Sequence, residues 1–214
     1  DDLEAMGVKV WSEWKQPDGT ILKAYGYQMA KACRKIEDRG ILLMSNPPQK
    51  AYKKVNQVEY VLDQIKNNPR SRRIMTSLYD VDDADDMALE PCVWTTNWNV
   101  DEDNRLHLFV KQRSCDVANG FPFNVAQYHV LHRRIAQVTG KKLGSMYWTI
   151  DNAHIYDRHL ETIEQQVMAD ISHLEEYKPK LILPESRDYF GTPLYEAIIE
   201  DYKHNGNYKY EIAI

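Results

Sequence analysis

Residues 112–124 read Q-R-S-C-D-V-A-N-G-F-P-F-N, a polar stretch set between two apolar patterns. Residues 106–110 enter it with the alternation of a strand, and residues 125–138 leave it with apolar side chains at helical spacing, until Gly140. The stretch itself carries a guanidinium, a hydroxyl, a thiol, a carboxylate and an amide. We therefore expect a loop between a core strand and a buried helix, able to bind something polar and planar.

The neighbouring segments complete a mixed pattern. Further strands are expected at residues 92–100, 106–110 and 146–156, the first two forming a β-hairpin. Apolar residues in 55–65 keep the 3–4 spacing of an amphipathic helix, which Asn67-Asn68-Pro69 should end. The sequence thus predicts an α+β fold, one mixed β-sheet covered by helices, as a single domain over residues 1–214.

Three shorter segments carry local signals. Pro47-Pro48 predicts a loop over residues 38–51, and residues 71–79 are typical of a strand. Asp157 is a suitable N-cap for a helix over residues 158–169.

Composition bounds the class of protein. The 214 residues carry a formal net charge of −5, which argues against a nucleic-acid coat but allows a local basic pocket for one phosphate; RNA binding is possible but not indicated. Only three cysteines are present, which predicts a reducing, cytoplasmic environment. No apolar run reaches the roughly 20 residues that a membrane span needs, and no signal peptide is recognisable.

Cys92 is the first candidate for chemistry. A thiolate is a competent nucleophile, and a nearby arginine can lower the pKa of a thiol. The alternative is that Cys92 is a buried small hydrophobe, which is the commoner role of a lone cysteine.

Three arginines and a serine could assemble a site for a dianion: Arg72, Arg73, Arg113 and Ser114. Arginine offers a planar fork that matches phosphate oxygens. The alternative is a set of surface ion pairs with the acidic run 80–86. Adjacent residues of a strand face opposite sides, which argues against Arg72 and Arg73 serving the same subunit's site.

Asn124, His154 and Tyr156 are candidates for neutral hydrogen bonds. The Asn124 amide offers a donor and an acceptor in fixed relation, which suits an edge such as uracil N3–H and O4. The alternative for Asn124 is a helix-start cap. His154 and Tyr156 would share a strand face and could bond one sugar hydroxyl, or they could simply be half-buried.

The histidines do not follow a metal-binding pattern. His129 and His132 are three apart, and His154 and His159 are five apart, but no H-E-x-x-H or paired C-x-x-C accompanies them. The sequence therefore predicts no metal site.

These residues, in this order, resemble the thymidylate synthase family. The matching blocks span essentially the whole chain: Trp11-Ser-Glu-Trp14, Tyr25-Gly-Tyr-Gln28, Ser71-Arg-Arg-Ile74, Pro91-Cys92, Gln112-Arg-Ser-Cys-Asp116, Gly120-Phe-Pro-Phe-Asn124, His154-Ile-Tyr156 and Ile212-Ala-Ile214. The resemblance implies that family's fold and a reductive methylation of dUMP to dTMP. It implies 5,10-methylenetetrahydrofolate as cosubstrate and Cys92 as the nucleophile that adds to C6 of the pyrimidine.

The resemblance also implies a homodimer with shared sites. Arg113 and Ser114 would hold the dUMP phosphate, with Arg72 and Arg73 reaching in from the partner subunit. That arrangement removes the objection from strand parity. Cys115 would be a bystander.

The remaining implied roles concern the nucleotide, the folate and the proton network. Gln112 and Asn124 would handle the nucleotide, Asn124 at the uracil edge, and His154 and Tyr156 would bond the deoxyribose 3′-hydroxyl. The other implied contacts are Asp116 with the pterin, Gly120 by close approach, Trp11 and Trp14 along the folate side, Tyr25 in the water and proton network, and Ala213 over the bound ligands.

The chain also departs from the family's pattern. A phosphate-binding arginine and a catalytic glutamate of the family would precede Asp1, so an N-terminal segment is expected to be lacking. Val93 follows the nucleophile where many relatives have His, and Ile150-Asp151-Asn152 replaces a Gly-Gly-Asp-like run. The second change leaves the folate contacts open but not the nucleotide site.

Two rival functions remain. A pyrimidine-nucleotide C5-hydroxymethylase shares the fold and the first steps, but water captures the methylene; versions acting on cytosine would favour an acid where Asn124 stands. A non-catalytic truncated relative that binds nucleotide or RNA is the other, against which Cys92 and Arg113 argue.

Overall fold

Helices are interspersed with groups of strands along the chain. The computed structural model describes residues 11–43, 49–174 and 176–212. Within them the α-helices are α1 (Tyr25–Ala30), α2 (Gln57–Asn67), α3 (Gly120–Thr139) and α4 (Leu160–Met168). The strands are β1 (Arg34–Leu43), β2 (Gln49–Val55), β3 (Met75–Ser77), β4 (Val93–Val100), β5 (Arg105–Asp116), β6 (Lys142–His154), β7 (Lys180–Ile182) and β8 (Ile198–Glu200). The predicted α+β class is confirmed.

The chain forms two compact units. The first comprises Asp1–Arg113 and Gly144–Thr149, and the second comprises Ser114–Leu143 and Ile150–Ile214. The organisation of residues 1–214 as one domain stays a prediction.

Helix α2 belongs to the first unit, and its two ends follow from the sequence. The Asn56 side chain accepts from the Glu59 backbone N–H at 2.8 Å, and the Glu59 carboxylate accepts from the Asn56 N–H at 3.1 Å, a reciprocal capping box. The helix ends at Asn67, just before Asn68 and Pro69, as predicted. Its apolar stripe is buried: Val58, Val61, Leu62 and Ile65.

The sheet of four strands has the order β3-β4-β5-β6. Strands β4 and β5 pair antiparallel with Val100 opposite Leu106, so the predicted hairpin is confirmed. Alternate side chains of β5 are buried: Leu106, Leu108, Val110 and Gln112. Trp98 is fully buried, and its indole N–H donates to the Thr96 hydroxyl at 3.0 Å, so the large ring is packed without an unpaired donor.

The second unit is built on α3. The helix ends as the sequence predicts, because Gly140 adopts the left-handed conformation (φ 68°, ψ 28°) that stops a helix. Arg134 is completely buried on α3, and its guanidinium donates to the carbonyls of Ser186 and Asp188 and to the Gln137 side chain. A buried arginine thus ties the segment 184–188 to the helix. Strands β7 and β8 pair antiparallel, with Leu181 opposite Ile199.

The prediction of a loop over residues 38–51 is wrong outside residues 44–48, which lie beyond the described part. Strands β1 and β2 occupy the rest and pair antiparallel, with Arg34 opposite Val55. Most side chains of β2 are exposed, so the segment carries polar residues and lacks the apolar alternation that marks a strand in sequence.

Two other local predictions need correction. The strand expected over residues 71–79 shrinks to β3, because Arg72 and Arg73 form a turn in which the Ser71 hydroxyl accepts from the Arg73 N–H at 3.2 Å. Asp157 does not cap a helix through its side chain: Asp157–His159 forms a turn of 3₁₀ helix, and α4 begins after it at Leu160.

Candidate active site

The predicted site residues divide between the two compact units. The first unit carries Trp11, Trp14, Tyr25, Arg72, Arg73, Cys92, Gln112 and Arg113. The second carries Ser114, Asp116, Gly120, Asn124, His154 and Tyr156. Ala213 lies outside the described residues.

The backbone of Cys92 is held on both sides. Its N–H donates to the Tyr25 hydroxyl at 2.8 Å, and its carbonyl accepts from the Arg113 N–H at 2.8 Å. Pro91 before it is buried, and Val93 after it is the buried first residue of β4. Cys92 is itself half-buried, so its backbone is held in place while the residue stays partly open to solvent.

Arg113 grips the segment that leads to Cys92. Its Nε donates to the carbonyl of Pro91 at 3.2 Å, and one terminal nitrogen donates to the carbonyl of Glu90 at 2.8 Å. Two nitrogens of the guanidinium therefore hold the backbone of the two residues that precede Cys92. Arg113 lies on β5 directly after Gln112, which pairs with Val93 at the start of β4.

Tyr25 lies at the first position of α1, where its phenol points at Cys92. Burial raises the pKa of Tyr25 well above its usual value, and negative charge on Cys92 raises that pKa further. Tyr25 is therefore a neutral phenol at neutral pH. A neutral hydroxyl can accept from the Cys92 N–H and still donate its own proton.

Trp11 and Trp14 pack beside Tyr25. The ring centroids of Trp11 and Tyr25 are 5.7 Å apart and those of Trp11 and Trp14 are 5.9 Å apart, both edge-to-face. Ser12–Trp14 forms a 3₁₀ turn, which Trp11 directly precedes. An aromatic wall thus adjoins the phenol that holds Cys92.

Gln112 and the arginine pair differ in exposure. Gln112 is buried on β5, and its side-chain oxygen accepts from the Trp148 indole N–H at 2.9 Å. Arg72 and Arg73 are both exposed, and they lie in a turn and not in a strand. The parity argument against them assumed a regular strand, so it does not apply.

In the second unit, the stretch that looked like a loop is mostly regular structure. Strand β5 continues to Asp116 and α3 begins at Gly120, which leaves only residues 117–119 between them. One oxygen of Asp116, Oδ1, accepts from the N–H groups of Ala118 (3.0 Å) and Asn119 (3.3 Å) and so builds the turn. Cys115 is a buried free thiol on β5.

Asn124 and Gly120 lie on the first turns of α3. Asn119, not Asn124, precedes the helix, so the alternative of Asn124 as a helix-start cap is wrong. A methyl group added at Gly120 would lie 4.0 Å from the Asn124 Oδ1 atom and from the Asp116 Cβ, an ordinary contact. The protein itself therefore does not require glycine at 120. Ser114 is half-buried two residues before Asp116.

His154 and Tyr156 lie where β6 ends. The His154 carbonyl accepts from the Val117 N–H at 2.9 Å, which fixes the strand end against the Asp116 turn. The two rings meet edge-to-face with centroids 5.0 Å apart, and the His154 Nδ1 lies 3.1 Å from the Asn152 side-chain oxygen. Tyr156 is exposed, so its hydroxyl is accessible to a ligand.

His159 was not predicted as a site residue, yet it is the most enclosed polar group beside Asp116. Its side chain is 2% exposed, its Nε2 lies 2.9 Å from the carbonyl oxygen of Glu211, and its Nδ1 lies 3.6 Å from the Asp116 Oδ2. From the sequence, His159 is a candidate only as a metal ligand, through its spacing from His154. No periodic signal could have found it, because its partners are 43 and 52 positions away.

A cavity of about 850 Å³ opens in the second unit. Apolar and aromatic side chains from α3, α4 and residues 202–210 form its walls, among them Phe123, Ile163, Val167, Tyr208 and Tyr210. Among the described residues, no group of three or more His, Cys, Asp or Glu could hold a metal ion. Within the same part of the chain, no helix is long and apolar enough to cross a membrane.

Comparison with known proteins identifies the family. The thymidylate synthase family model matches residues 1–214. The chain is 42% identical to the thymidylate synthase of Bacillus mojavensis over 215 residues and to thymidylate synthase 1 of Bacillus subtilis (strain 168) over 216 residues, covering all of this chain and 70% of each relative. The solved structure of thermostable thymidylate synthase A from Bacillus subtilis superposes with a TM-score of 0.84 at 42% identity, again over 100% of this chain and 70% of that one.

The α+β fold and these matches define a methyltransferase. More specifically, the chain belongs to the thymidylate synthase family, and the resemblance read from its motifs is confirmed.

Proposed function

We propose that this chain catalyses the reductive methylation of dUMP to dTMP, with 5,10-methylenetetrahydrofolate as the one-carbon donor and reductant. The observation that carries the proposal is the half-buried Cys92, whose backbone is held by hydrogen bonds to Tyr25 and Arg113, in a chain of the thymidylate synthase family. The assignment of individual site residues is part of this proposal.

The reaction starts and ends at Cys92. Its thiolate forms a bond to C6 of the uracil ring, and the electron pair of the C5–C6 double bond makes C5 a carbon nucleophile. C5 bonds to the folate methylene, the C5 proton leaves, and elimination of tetrahydrofolate gives an exocyclic methylene. Hydride from tetrahydrofolate reduces that methylene to methyl, the Cys92 thiolate departs, and the products are dTMP and dihydrofolate.

The nucleotide contacts follow from charge and hydrogen-bonding capacity. Arg113 and Ser114 hold the phosphate, since an arginine fork and a hydroxyl match its oxygens. Two nitrogens of Arg113 already bind the carbonyls of Glu90 and Pro91, so phosphate binding and placement of Cys92 are coupled through one side chain. Asn124 and Gln112 contact the nucleotide, and the accessible Tyr156 hydroxyl and His154 bond the 3′-hydroxyl.

The folate contacts combine aromatic walls with one carboxylate. Trp11 and Trp14 line the folate beside Tyr25, Asp116 meets the pterin, and Ala213 closes over the bound ligands. Gly120 allows close approach of the ligand. A Cβ at this position would meet its nearest protein atoms only at 4.0 Å, so packing within the chain does not explain the glycine. The cavity walled by Phe123 and Tyr210 is a suitable space for the flat rings of a reduced folate.

A homodimer completes the proposal, with Arg72 and Arg73 supplied to the partner's phosphate site. Both arginines are exposed, and neither guanidinium forms an ion pair with a described residue, which leaves them available to a second copy. Mixing inactive Arg72→Ala/Arg73→Ala protein with inactive Cys92→Ser protein should restore up to about a quarter of wild-type activity, since each mixed dimer gains one intact site. No recovery on mixing, despite subunit exchange, would refute the shared site.

We place the reaction in the cytoplasm. The three cysteines of the chain, Cys33, Cys92 and Cys115, are all free thiols, which agrees with a reducing compartment.

The test uses trapping at Cys92. Incubation with 5-fluoro-dUMP and methylenetetrahydrofolate should give a covalent ternary adduct, seen by intact mass and mapped to the peptide that contains Cys92. The fluorine at C5 cannot leave as a proton does, so the intermediate accumulates. Cys92→Ser should abolish turnover and the adduct but keep dUMP binding, whereas Cys33→Ser, which alters an exposed thiol, should behave as wild type.

The product distinguishes the rival enzyme. With dUMP as substrate, methylation gives dTMP, and hydroxymethylation gives 5-hydroxymethyl-dUMP. Each relative named above is a thymidylate synthase, which favours dTMP. If wild-type protein binds dUMP but forms no adduct, catalysis through Cys92 is refuted and a non-catalytic nucleotide-binding role is favoured.

A further inference from the structure

The imidazole of His159 is a buried titratable group to which the proposed reaction assigns no role. It lies at the end of the Asp157–His159 turn, where its N–H donates to the Tyr156 carbonyl at 2.8 Å. Its side chain is 2% exposed and is enclosed by two tyrosine rings, with centroid distances of 5.7 Å to Tyr156 and 5.2 Å to Tyr210. Such a group is desolvated, so its two ring nitrogens depend on protein partners.

One ring nitrogen has a fixed protonation state. The Nε2 atom lies 2.9 Å from the carbonyl oxygen of Glu211. A carbonyl oxygen can only accept, so Nε2 carries the proton and donates it. Residues 210 and 211 are thereby tied to the turn that ends at His159. Tyr210 strengthens the attachment through a hydrogen bond from its hydroxyl to the Gln166 side chain.

The other ring nitrogen faces a carboxylate without a hydrogen bond. The Nδ1 atom is buried, has no hydrogen-bond partner, and lies 3.6 Å from Oδ2 of Asp116. Oδ1 of Asp116 is used by the N–H groups of Ala118 and Asn119, which leaves Oδ2 turned toward the imidazole. In the neutral ring, Nδ1 would present a lone pair to a negative oxygen, which is repulsive. A proton on Nδ1 converts this repulsive contact into an attractive ion pair across 3.6 Å.

The other titratable groups that face the imidazole do not carry the negative charge that would pair with it when Nδ1 is protonated. Burial raises the pKa of Tyr210, so its phenol stays neutral. Tyr156 is a phenol whose neighbouring charge is the Arg158 guanidinium, 5.5 Å from its ring centre. Glu211 contributes its backbone carbonyl, and its side chain is exposed. Asp116 is therefore the anion to which the imidazolium responds.

We infer that His159, protonated on both ring nitrogens, is a positioning residue that pairs with the Asp116 carboxylate and donates to the Glu211 backbone carbonyl, and so sets how Asp116 meets the folate. The inference rests on the proposed function, in which Asp116 contacts the reduced folate. Asp116 is one end of this bridge, and the backbone of Glu211 is the other.

The bridge predicts a selective kinetic effect. His159→Gln should raise the KM for methylenetetrahydrofolate about tenfold, because Asp116 loses its buried counter-charge, while the KM for dUMP changes less than about twofold. His129→Gln, which alters a half-buried histidine elsewhere on α3, serves as the matched control and should leave both constants unchanged. A His159→Gln enzyme with an unchanged folate KM, or with both constants raised equally, would overturn the inference.

A pH profile adds a readout that a merely structural role would not move. The ion pair with Asp116 requires a proton on Nδ1 of His159, and rising pH removes protons, so the bridge weakens as the pH rises. The folate KM of the wild type should therefore rise from mildly acidic to mildly alkaline pH, and this rise should be absent in His159→Gln. A rise of the same size in both proteins would contradict the bridge.

A measurement on the wild type covers the case in which the variant does not fold. Nitrogen-15 labelling of the histidines, with the His159 signals assigned in the complex with 5-fluoro-dUMP and methylenetetrahydrofolate, should show protons on both ring nitrogens. A neutral ring protonated only at Nε2 in that complex refutes the bridge. The proposed function fails separately, through the absence of the Cys92 adduct in the wild type.

Discussion

The hydroxyl of Tyr25 accepts a hydrogen bond from the backbone N–H of Cys92 at 2.8 Å, joining two residues that are 67 positions apart. The contact connects the start of α1 to the residue that precedes β4. Because burial keeps Tyr25 a neutral phenol, the bond persists over the whole physiological pH range. A long-range hydrogen bond to the backbone of Cys92, rather than to its thiol, therefore positions the residue that carries the sulfur.

Replacing Tyr25 with Phe removes that acceptor and leaves the ring. The Cys92 N–H would lose its partner in a partly buried position, which costs about 1–3 kcal/mol, so the rate of adduct formation with 5-fluoro-dUMP should fall about tenfold or more. Binding of dUMP before reaction should change little. Rapid-quench mass spectrometry measures the rate. Tyr27→Phe, at an exposed position of the same helix, should react as the wild type does, and an equal loss in both variants would mean that the phenol of Tyr25 has no special role.

Arg113→Lys tests the coupling between phosphate binding and the cysteine segment. Lysine keeps the positive charge but cannot donate to the carbonyls of Glu90 and Pro91 at once, as the guanidinium does. We expect the KM for dUMP to rise about tenfold or more and adduct formation to slow as well, since hydrogen bonds to charged groups are worth roughly 1.5–3 kcal/mol.

The matched control for this variant is Arg105→Lys. Arg105 lies on the same strand, is exposed, and pairs with Asp101 and Asp103 at the hairpin turn. Its replacement should leave both constants unchanged. If Arg113→Lys raised the KM for dUMP without slowing the adduct, the grip on residues 90 and 91 would be irrelevant to the thiol.

The regular elements could be predicted wherever a strong local pattern coincided with the packing. Helix α2 shows both capping residues and the buried stripe in its sequence, and Gly140 ends α3 as its conformational freedom suggests. Strands β1 and β2 escaped prediction because most side chains of β2 are solvated, so pairing between the two strands contributes more to their regularity than burial of β2 does.

The candidate site divides in the same way. Cys92, Arg113 and Asn124 could be nominated because their chemistry shows in short motifs, but the bonds that orient them could not. The partners of Tyr25 and Arg113 are backbone groups, which have no sequence signature. His159 was missed because burial between Asp116 and Glu211 depends on how distant segments fold back. Short motifs thus identify reacting groups, whereas tertiary contacts determine how they are aimed.

A buried carboxylate joins α1 to the acidic segment, and it offers a test of stability. Asp83 accepts from the amines of Lys31 (2.6 Å) and Lys23 (2.9 Å) and from the Gln28 amide (3.0 Å). These donors, Lys31 first, hold the pKa of Asp83 well below its usual range. A lowered carboxyl pKa stabilises the fold above the ordinary titration range, and that contribution is lost as the pH falls toward the lowered pKa.

Asp83→Asn should therefore lower the melting temperature at neutral pH, because two amines lose a buried partner. The difference from wild type should stay constant down to about pH 4–5, near the ordinary pKa of aspartate, and shrink at lower pH. Circular dichroism melts across this range measure it. Asp86→Asn is the control, since Asp86 pairs with Lys23 but its side chain is 62% exposed, so its replacement should have a much smaller effect. Equal melting temperatures for Asp83→Asn and wild type would show that the network adds no stability.

Asn124→Asp tests which edge of the base is read. The amide offers one acceptor and one donor, which match N3–H and O4 of uracil, whereas a carboxyl group can accept from N4–H₂ of cytosine and, when protonated, donate to N3. We expect kcat/KM for dUMP to fall at least about a hundredfold, because O4 would face an oxygen, with a shift of preference toward dCMP. Gln127→Glu makes the same amide-to-acid change at an exposed position of α3 and should keep the wild-type preference. Competition assays with both nucleotides give the ratio directly. An Asn124→Asp enzyme that still prefers dUMP as strongly as the wild type would mean that another residue recognises the base. Buried Gln112 would then be the next residue to test, because its amide has the same pair of donor and acceptor groups.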